Sequence, residues 1–144
     1  MSYTGLILVS HGEFAKAALA SSEMIAGKQE NVIALGLKED TSLEQMVLDI
    51  KDAYQKLKAN CENILILCDI YGGTPFNAIT RNMLEGMEAK AFTGLSLPLL
   101  IDTLLSRDMI FFAEIDEHIR ETHEICCQKI EVAVKQDDAD EMDL

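Results

Sequence analysis

Ile64-Leu65-Ile66-Leu67-Cys68-Asp69-Ile70-Tyr71-Gly72-Gly73-Thr74-Pro75-Phe76-Asn77 passes from an apolar run to a carboxylate and then to a glycine-rich turn closed by a proline. The run alternates too little for a sheet that is wet on one face. It reads as a strand over 63–69 with helices on both sides. Pro75 suits the first turn of a helix, where its missing N–H leaves no intrahelical bond unmade. Phe76, Ile79 and Met83 continue that helix to Gly86.

The same strand-then-helix order recurs on either side of this stretch. The run Tyr3 to Val9 ends in Ser10-His11-Gly12, and Phe14, Ala17, Ala18, Ser21, Met24 and Ile25 follow at helical spacing up to Gly27. Val32 to Leu37 is a short second strand. Thr41-Ser42-Leu43-Glu44-Gln45 holds two overlapping capping boxes ahead of a stripe at Leu43, Met46, Val47, Ile50, Ala53, Tyr54 and Leu57. Residues 89–95 read as a fourth strand, 98–106 as a short helix and 115–128 as an amphipathic one. Lys129-Ile130-Glu131-Val132-Ala133-Val134-Lys135 then alternates with period two. The alternating order predicts a single α/β domain: a mainly parallel, doubly wound sheet of four strands flanked by helices. The final run predicts a fifth strand, at an edge or paired with another subunit. The domain is expected to span 1–135, and 136–144, with five acids in nine residues, to be a disordered tail.

A formal net charge of −13 disfavours nucleic acid and anionic membrane surfaces, which bind through Lys and Arg clusters, and favours basic protein partners. The longest apolar stretches are about half of the roughly 20 residues that a spanning helix needs. With neither a basic n-region nor a cleavage site at the amino terminus, a cytoplasmic protein without membrane insertion is expected. Cys61, Cys68, Cys126 and Cys127 have no metal-ribbon spacing and read as reduced thiols.

If the first and third strands are parallel neighbours, His11, Asp69 and the Gly72-Gly73-Thr74 turn meet at one sheet edge, where open α/β sheets place their ligands. A neutral imidazole is a nucleophile with two distinct nitrogens, so one can attack while Asp69 holds the other as a donor. The turn offers free N–H groups and a helix dipole to phosphate oxygens, and Thr74 adds a hydroxyl. A strand-end histidine satisfied by backbone and a plain strand-to-helix turn fit the same residues. A receiver domain would want paired acids where Ser10-His11-Gly12 stands, and a histidine phosphatase would want arginine in place of Ser10. The turn lacks the Walker pattern and its lysine, so nucleotide and magnesium are not expected. His118 and His123 read as exposed helix histidines; His123 with Cys127 makes two metal ligands of a needed three or four. Met24 is placed on the first helix, within reach of the site. No metal and no cofactor are expected.

The chain closely resembles the enzyme IIA components of the mannose family (mannose/fructose/sorbose type) of the bacterial phosphoenolpyruvate:sugar phosphotransferase system (PTS). The resemblance covers residues 3–135 and rests on Leu8-Val9-Ser10-His11-Gly12, on Asp69 to Asn77, and on Gly94-Leu95-Ser96-Leu97-Pro98-Leu99-Leu100. It implies a phosphotransferase in which His11 accepts a phosphoryl group from the phosphohistidine of the carrier protein HPr. His11 then passes it to a histidine of enzyme IIB during sugar uptake by the membrane components IIC and IID. Asp69 matches the carboxylate that orients the histidine, and Gly73 and Thr74 match the phosphate-binding turn, to which the reading of the residues adds Gly72. The resemblance also implies a homodimer in which the C-terminal strand crosses, antiparallel, to the partner. Where the family reads Gly-x-Asn-x-Pro, this chain has Gly94-Leu95-Ser96-Leu97-Pro98. With an acidic tail in place of a linker, IIB is expected to be a separate chain. Two alternatives share the motifs: a phosphotransfer subunit of a dihydroxyacetone kinase, and a non-catalytic regulatory module that binds partners according to His11 phosphorylation.

Overall fold

A computed structural model describes residues 3–133. Four parallel strands form one sheet in the order β2-β1-β3-β4: β1 (Thr4–His11), β2 (Val32–Leu37), β3 (Asn63–Cys68) and β4 (Lys90–Thr93). The helices are α1 (Phe14–Ala26), α2 (Leu43–Lys58), α3 (Gly73–Leu84), α4 (Leu97–Ser106) and, after a 3-10 turn at Phe112–Glu114, α5 (Ile115–Glu124).

Both faces of the two central strands are covered. Ile7, Val9, Ile64, Ile66 and Cys68 point into the core under α2 and α3. Leu6, Leu8, Leu65 and Leu67 point into the core under α1, α4 and α5. Successive strand residues face opposite ways, so only an unbroken apolar run can fill two cores at once. The aliphatic side chains of these strands are almost wholly buried, each contributing about 2 kcal/mol of transfer free energy. Helix α2 starts at Ser42, whose hydroxyl accepts from Gln45 N–H at 3.0 Å. The overlapping box at Thr41 does not form, because its hydroxyl accepts from Lys38 N–H instead.

β4 is shorter than the sequence predicts. It pairs with β3 from Lys90 to Thr93; Gly94 holds φ +88°, and Leu95 N–H makes a last bond to Cys68 O at 3.0 Å. Helix α5 also ends early, at Glu124. The predicted fifth strand is not formed within the single chain: up to Ala133 the final segment has no ladder partner, and Ile130 and Val132 are 98% and 90% exposed. A strand needs a neighbour for its N–H and C=O groups, and among the described residues the chain supplies none. Residues 134 and 135 and the acidic segment 136–144 lie outside the described residues. Among the described residues no helix is long and apolar enough to cross a membrane.

Ser22, fully buried on α1, has a hydroxyl with no partner among the described residues. Ser22→Ala removes an unpaired polar group, and thermal or urea unfolding is expected to show a gain of about 1 kcal/mol.

Candidate functional site

The order β2-β1-β3-β4 reverses direction at β1, so the crevice beyond the carboxyl ends of β1 and β3 is the topological switch point. His11 ends β1 and Asp69 follows β3. The register pairs Val9 with Cys68, and Asp69 N–H donates to Val9 O at 3.1 Å, which brings Asp69 level with the turn after β1.

One carboxylate oxygen organises the histidine. Asp69 Oδ2 accepts from His11 N–H at 2.9 Å and from the ring Nδ1 at 2.7 Å. An ionised carboxylate can only accept, so Nδ1 carries a proton, and in the neutral ring Nε2 keeps its lone pair. Asp69 Oδ1 accepts from Ile70 N–H at 2.9 Å and faces Cys68 Sγ at 3.6 Å. The His11 side chain is 48% exposed and that of Asp69 12%, so the free nitrogen is open to a large partner while its anchor is shielded.

Burial of the Asp69 carboxylate works against ionisation. Donation from His11 N–H, the His11 ring and Ile70 N–H outweighs it, and the pKa lies below the usual aspartate value. A depressed folded-state pKa stabilises the fold above the unfolded value, and this contribution is lost as pH falls through the folded one. The stability difference between the native protein and Asp69→Asn is therefore expected to shrink on going from about pH 6 to about pH 3, read by urea unfolding. Cys68, directly beneath, is pushed up to about 12, by burial first and then by the charge of Asp69. Its thiol stays protonated.

Gly73 stands against the imidazole: a Cβ there would lie 3.5 Å from both His11 Cε1 and Nε2. Gly72 and Gly73 hold φ +83° and +84°, which glycine adopts without strain. Gly72 is the N-cap of α3, so N–H groups of its first turn have no intrahelical acceptor. The structure thus joins His11, Asp69 and Gly73 directly, with Thr74 half-buried in the adjoining helical turn.

Several features were not read from the sequence. Ser96 caps α4, its hydroxyl accepting from Leu99 N–H at 3.3 Å, so serine at this loop position has a local structural task. Tyr71, 80% exposed, packs its ring 4.4 Å from that of Phe76 beside the site. His118 is no free surface histidine: Nε2 meets Asp102 Oδ2 at 2.6 Å, and Thr122 Oγ1 donates to the same oxygen. It ties α4 to α5, and neither its spacing nor its polar neighbours signal this. Met24 is 87% exposed and lies about 15 Å along α1 from the end that follows His11, too far to join the site.

The family model EIIA-man, "PTS system fructose IIA component", matches residues 5–122. The chain is 30% identical over 103 residues to the mannose-specific EIIAB component of Escherichia coli K12, a match covering 72% of this chain and 32% of that protein. The chain thus spans about a third of the length of that relative. It is 26% identical to the fructose-specific EIIA component of Bacillus subtilis strain 168, with 88% of each covered. Among solved structures, the EIIA component of Streptococcus agalactiae superposes with a TM-score of 0.73 at 31% identity, covering 87% of this chain and 96% of that one. The mannose/sorbose-specific IIA subunit of Enterococcus faecalis, 24% identical, shares the fold with a TM-score of 0.79 over 92% of this chain and 98% of its own. With its four-stranded parallel sheet and its strand-end His11 and Asp69 inside the matched span, the chain belongs to the mannose-type enzyme IIA family of the sugar phosphotransferase system.

Proposed function

We propose that this chain is a phosphocarrier that takes a phosphoryl group from phospho-HPr onto His11 Nε2 and passes it to a histidine of enzyme IIB during sugar uptake. The observation that carries this reading is the 2.7 Å contact of Nδ1 with Asp69 Oδ2, which leaves Nε2 as the nucleophile beside Gly73. In the first transfer the P–N bond to the HPr histidine breaks, its electron pair staying on that nitrogen, as the P–N bond to Nε2 forms. Nδ1–H remains on His11, and Asp69 balances the positive charge that develops on the ring. The phosphoryl oxygens are received by the free N–H groups of the turn from Gly72 to Thr74 and by the Thr74 hydroxyl. The loose transition state asks for little beyond this alignment. The second transfer runs the same step outward.

The free edge of β4 and the exposed, alternating Ile130 and Val132 support a homodimer in which residues 129–135 of one copy add antiparallel to β4 of the other. The domain is then 1–135, with 136–144 an acidic tail. A monomer by light scattering would remove the exchange from this account.

The test is intact mass after incubation with phosphoenolpyruvate, enzyme I and HPr. One acid-labile phosphoryl group is expected on the native chain and none on His11→Ala, with nitrogen NMR placing it on Nε2. Absence of the gain, or modification on Nδ1, would overturn the reading. Presenting the phosphorylated chain to IIB and to a dihydroxyacetone kinase subunit would identify the acceptor.

A further inference from the structure

Ser10 and Gly36 face one another in register across β1 and β2, one position before His11. Ser10 is fully buried. Its hydroxyl donates to His11 O at 3.0 Å and accepts from Ala15 N–H at 2.8 Å. Helix α1 has no side-chain cap at Glu13, so the strand residue supplies the acceptor that the helix end lacks. On the other side, Gly12 N–H donates to Leu37 O at 2.7 Å, drawing the Gly12 carbonyl across Gly36. A Cβ at Gly36 would overlap Gly12 O and stand 3.1 Å from Gly12 C. These are backbone atoms, which cannot swing aside as the end of a side chain can.

The turn from His11 to Glu13 is therefore fixed from three directions. Ser10 ties it to α1, Gly36 lets it lie flat on β2, and Asp69 takes both the backbone and the ring N–H of His11 on a single oxygen. That double contact tolerates little movement, because a shift of the His11 backbone lengthens both bonds together. Glycine within a strand is unfavourable in itself, by roughly 0.5–1 kcal/mol relative to alanine, and marks a close backbone approach. Here the approach is to the residue next to the imidazole.

We propose that Ser10 and Gly36 are positioning residues for phosphoryl transfer: they place the His11 turn so that Asp69 holds Nδ1–H and Nε2 faces the incoming phosphorus. This rests on His11 being the phosphoacceptor. Displacements of about 1 Å in such sites lower rates by about 100-fold. Gly36→Ala is expected to reduce kcat for transfer from phospho-HPr by about 100-fold and Ser10→Ala by about tenfold, each with little change in KM, because the outer surface is untouched.

The experiment pairs transfer kinetics with nitrogen NMR of the unphosphorylated His11 ring, using Gly86→Ala as the control. Gly86, at φ +106° with open space around it, lies at the far end of α3, so alanine there strains the fold without touching the turn. Both test variants are expected to shift and weaken the Nδ1–H signal of the Asp69-bound tautomer, Gly36→Ala more than Ser10→Ala, and Gly86→Ala to keep both signal and kcat. Folded Ser10→Ala and Gly36→Ala proteins with native ring signals and native kcat would overturn the proposal. So would an equal loss of kcat in Gly86→Ala, which would make the effect one of stability. Should Gly36→Ala not fold, Ser10→Ala decides the matter alone, since it adds no volume. A native chain that takes no phosphoryl group on His11 would defeat the transfer reading, while the ring signals would still report on positioning.

Discussion

Asp69→Ala is expected to slow phosphoryl transfer from phospho-HPr by about 10³-fold in a rapid-quench assay, with the fold retained. The carboxylate does three things at once: it selects the tautomer that frees Nε2, fixes the ring plane, and stabilises the imidazolium-like charge that appears as phosphorus bonds. Alanine removes all three and leaves His11 N–H and Ile70 N–H without their acceptor. The strands stay paired, because the backbone bond from Asp69 N–H to Val9 O does not involve the side chain. Asp69→Asn is the sharper probe. If its carbonyl oxygen serves His11, its NH₂ meets Ile70 N–H, donor against donor; if it is turned over, the NH₂ meets the ring and forces the proton onto Nε2. In the first orientation the variant is expected to fall between native and alanine; in the second, with Nε2 protonated, it is expected to transfer no faster than alanine. Native kinetics in Asp69→Ala would remove the orienting role.

Arg107→Ala is expected to cost about 3 kcal/mol of stability and roughly 10 °C in melting temperature, leaving transfer by the folded protein unchanged. Arg107 is only 7% exposed, at the C-cap of α4. Its Nη1 donates to Thr4 O and Asn31 O, both at 3.0 Å, and its Nη2 to Glu30 O at 2.6 Å and Gln29 Oε1 at 3.3 Å. One guanidinium thus joins the start of β1 to the loop before β2, at the end of the sheet opposite His11. Burial presses its pKa below the usual arginine value and the charge of Asp108 pushes back, but a guanidinium stays charged. Alanine would leave the carbonyl of buried Thr4 without its guanidinium donor and untie Glu30 O and Gln29 from the start of β1, while Asn31 O would keep Leu6 N–H. Lysine, with one compact ammonium, cannot span the same acceptors and is expected to recover less than half of the loss. Differential scanning calorimetry measures both; a melting temperature within about 2 °C of native for Arg107→Ala would refute this assignment.

The two residues illustrate what can be read from a linear chain. The reading of Leu6 to Val9 and Ile64 to Cys68 as strands covered on both faces rests on short apolar runs closed by glycine-bearing turns, whose side chains serve both faces of a sheet. The helix starts at Ser42 and Pro75 were equally legible, since caps and prolines act on their own next few residues. His11 and Asp69 were visible as candidates because each follows such a run, and the parallel order brings strand ends together. The contribution of Arg107 was not visible: three of its four acceptors are backbone carbonyls, up to 103 residues away, which any residue type could have supplied. Ser10 and Gly36 carried no signal either, because a buried hydroxyl and a strand glycine gain meaning only from the backbone that passes over them.

By itself, then, the sequence determined the alternation of strands and helices, the two-sided core and the residues able to carry chemistry, all through interactions within a few positions. Only the assembled sheet settles that one oxygen of Asp69 takes both donors of His11, that Gly73 stands against the His11 ring, and that Ser10 and Gly36 frame the turn. Those contacts join β1, β2 and β3 across dozens of residues, and their distances are fixed only when the sheet assembles in register.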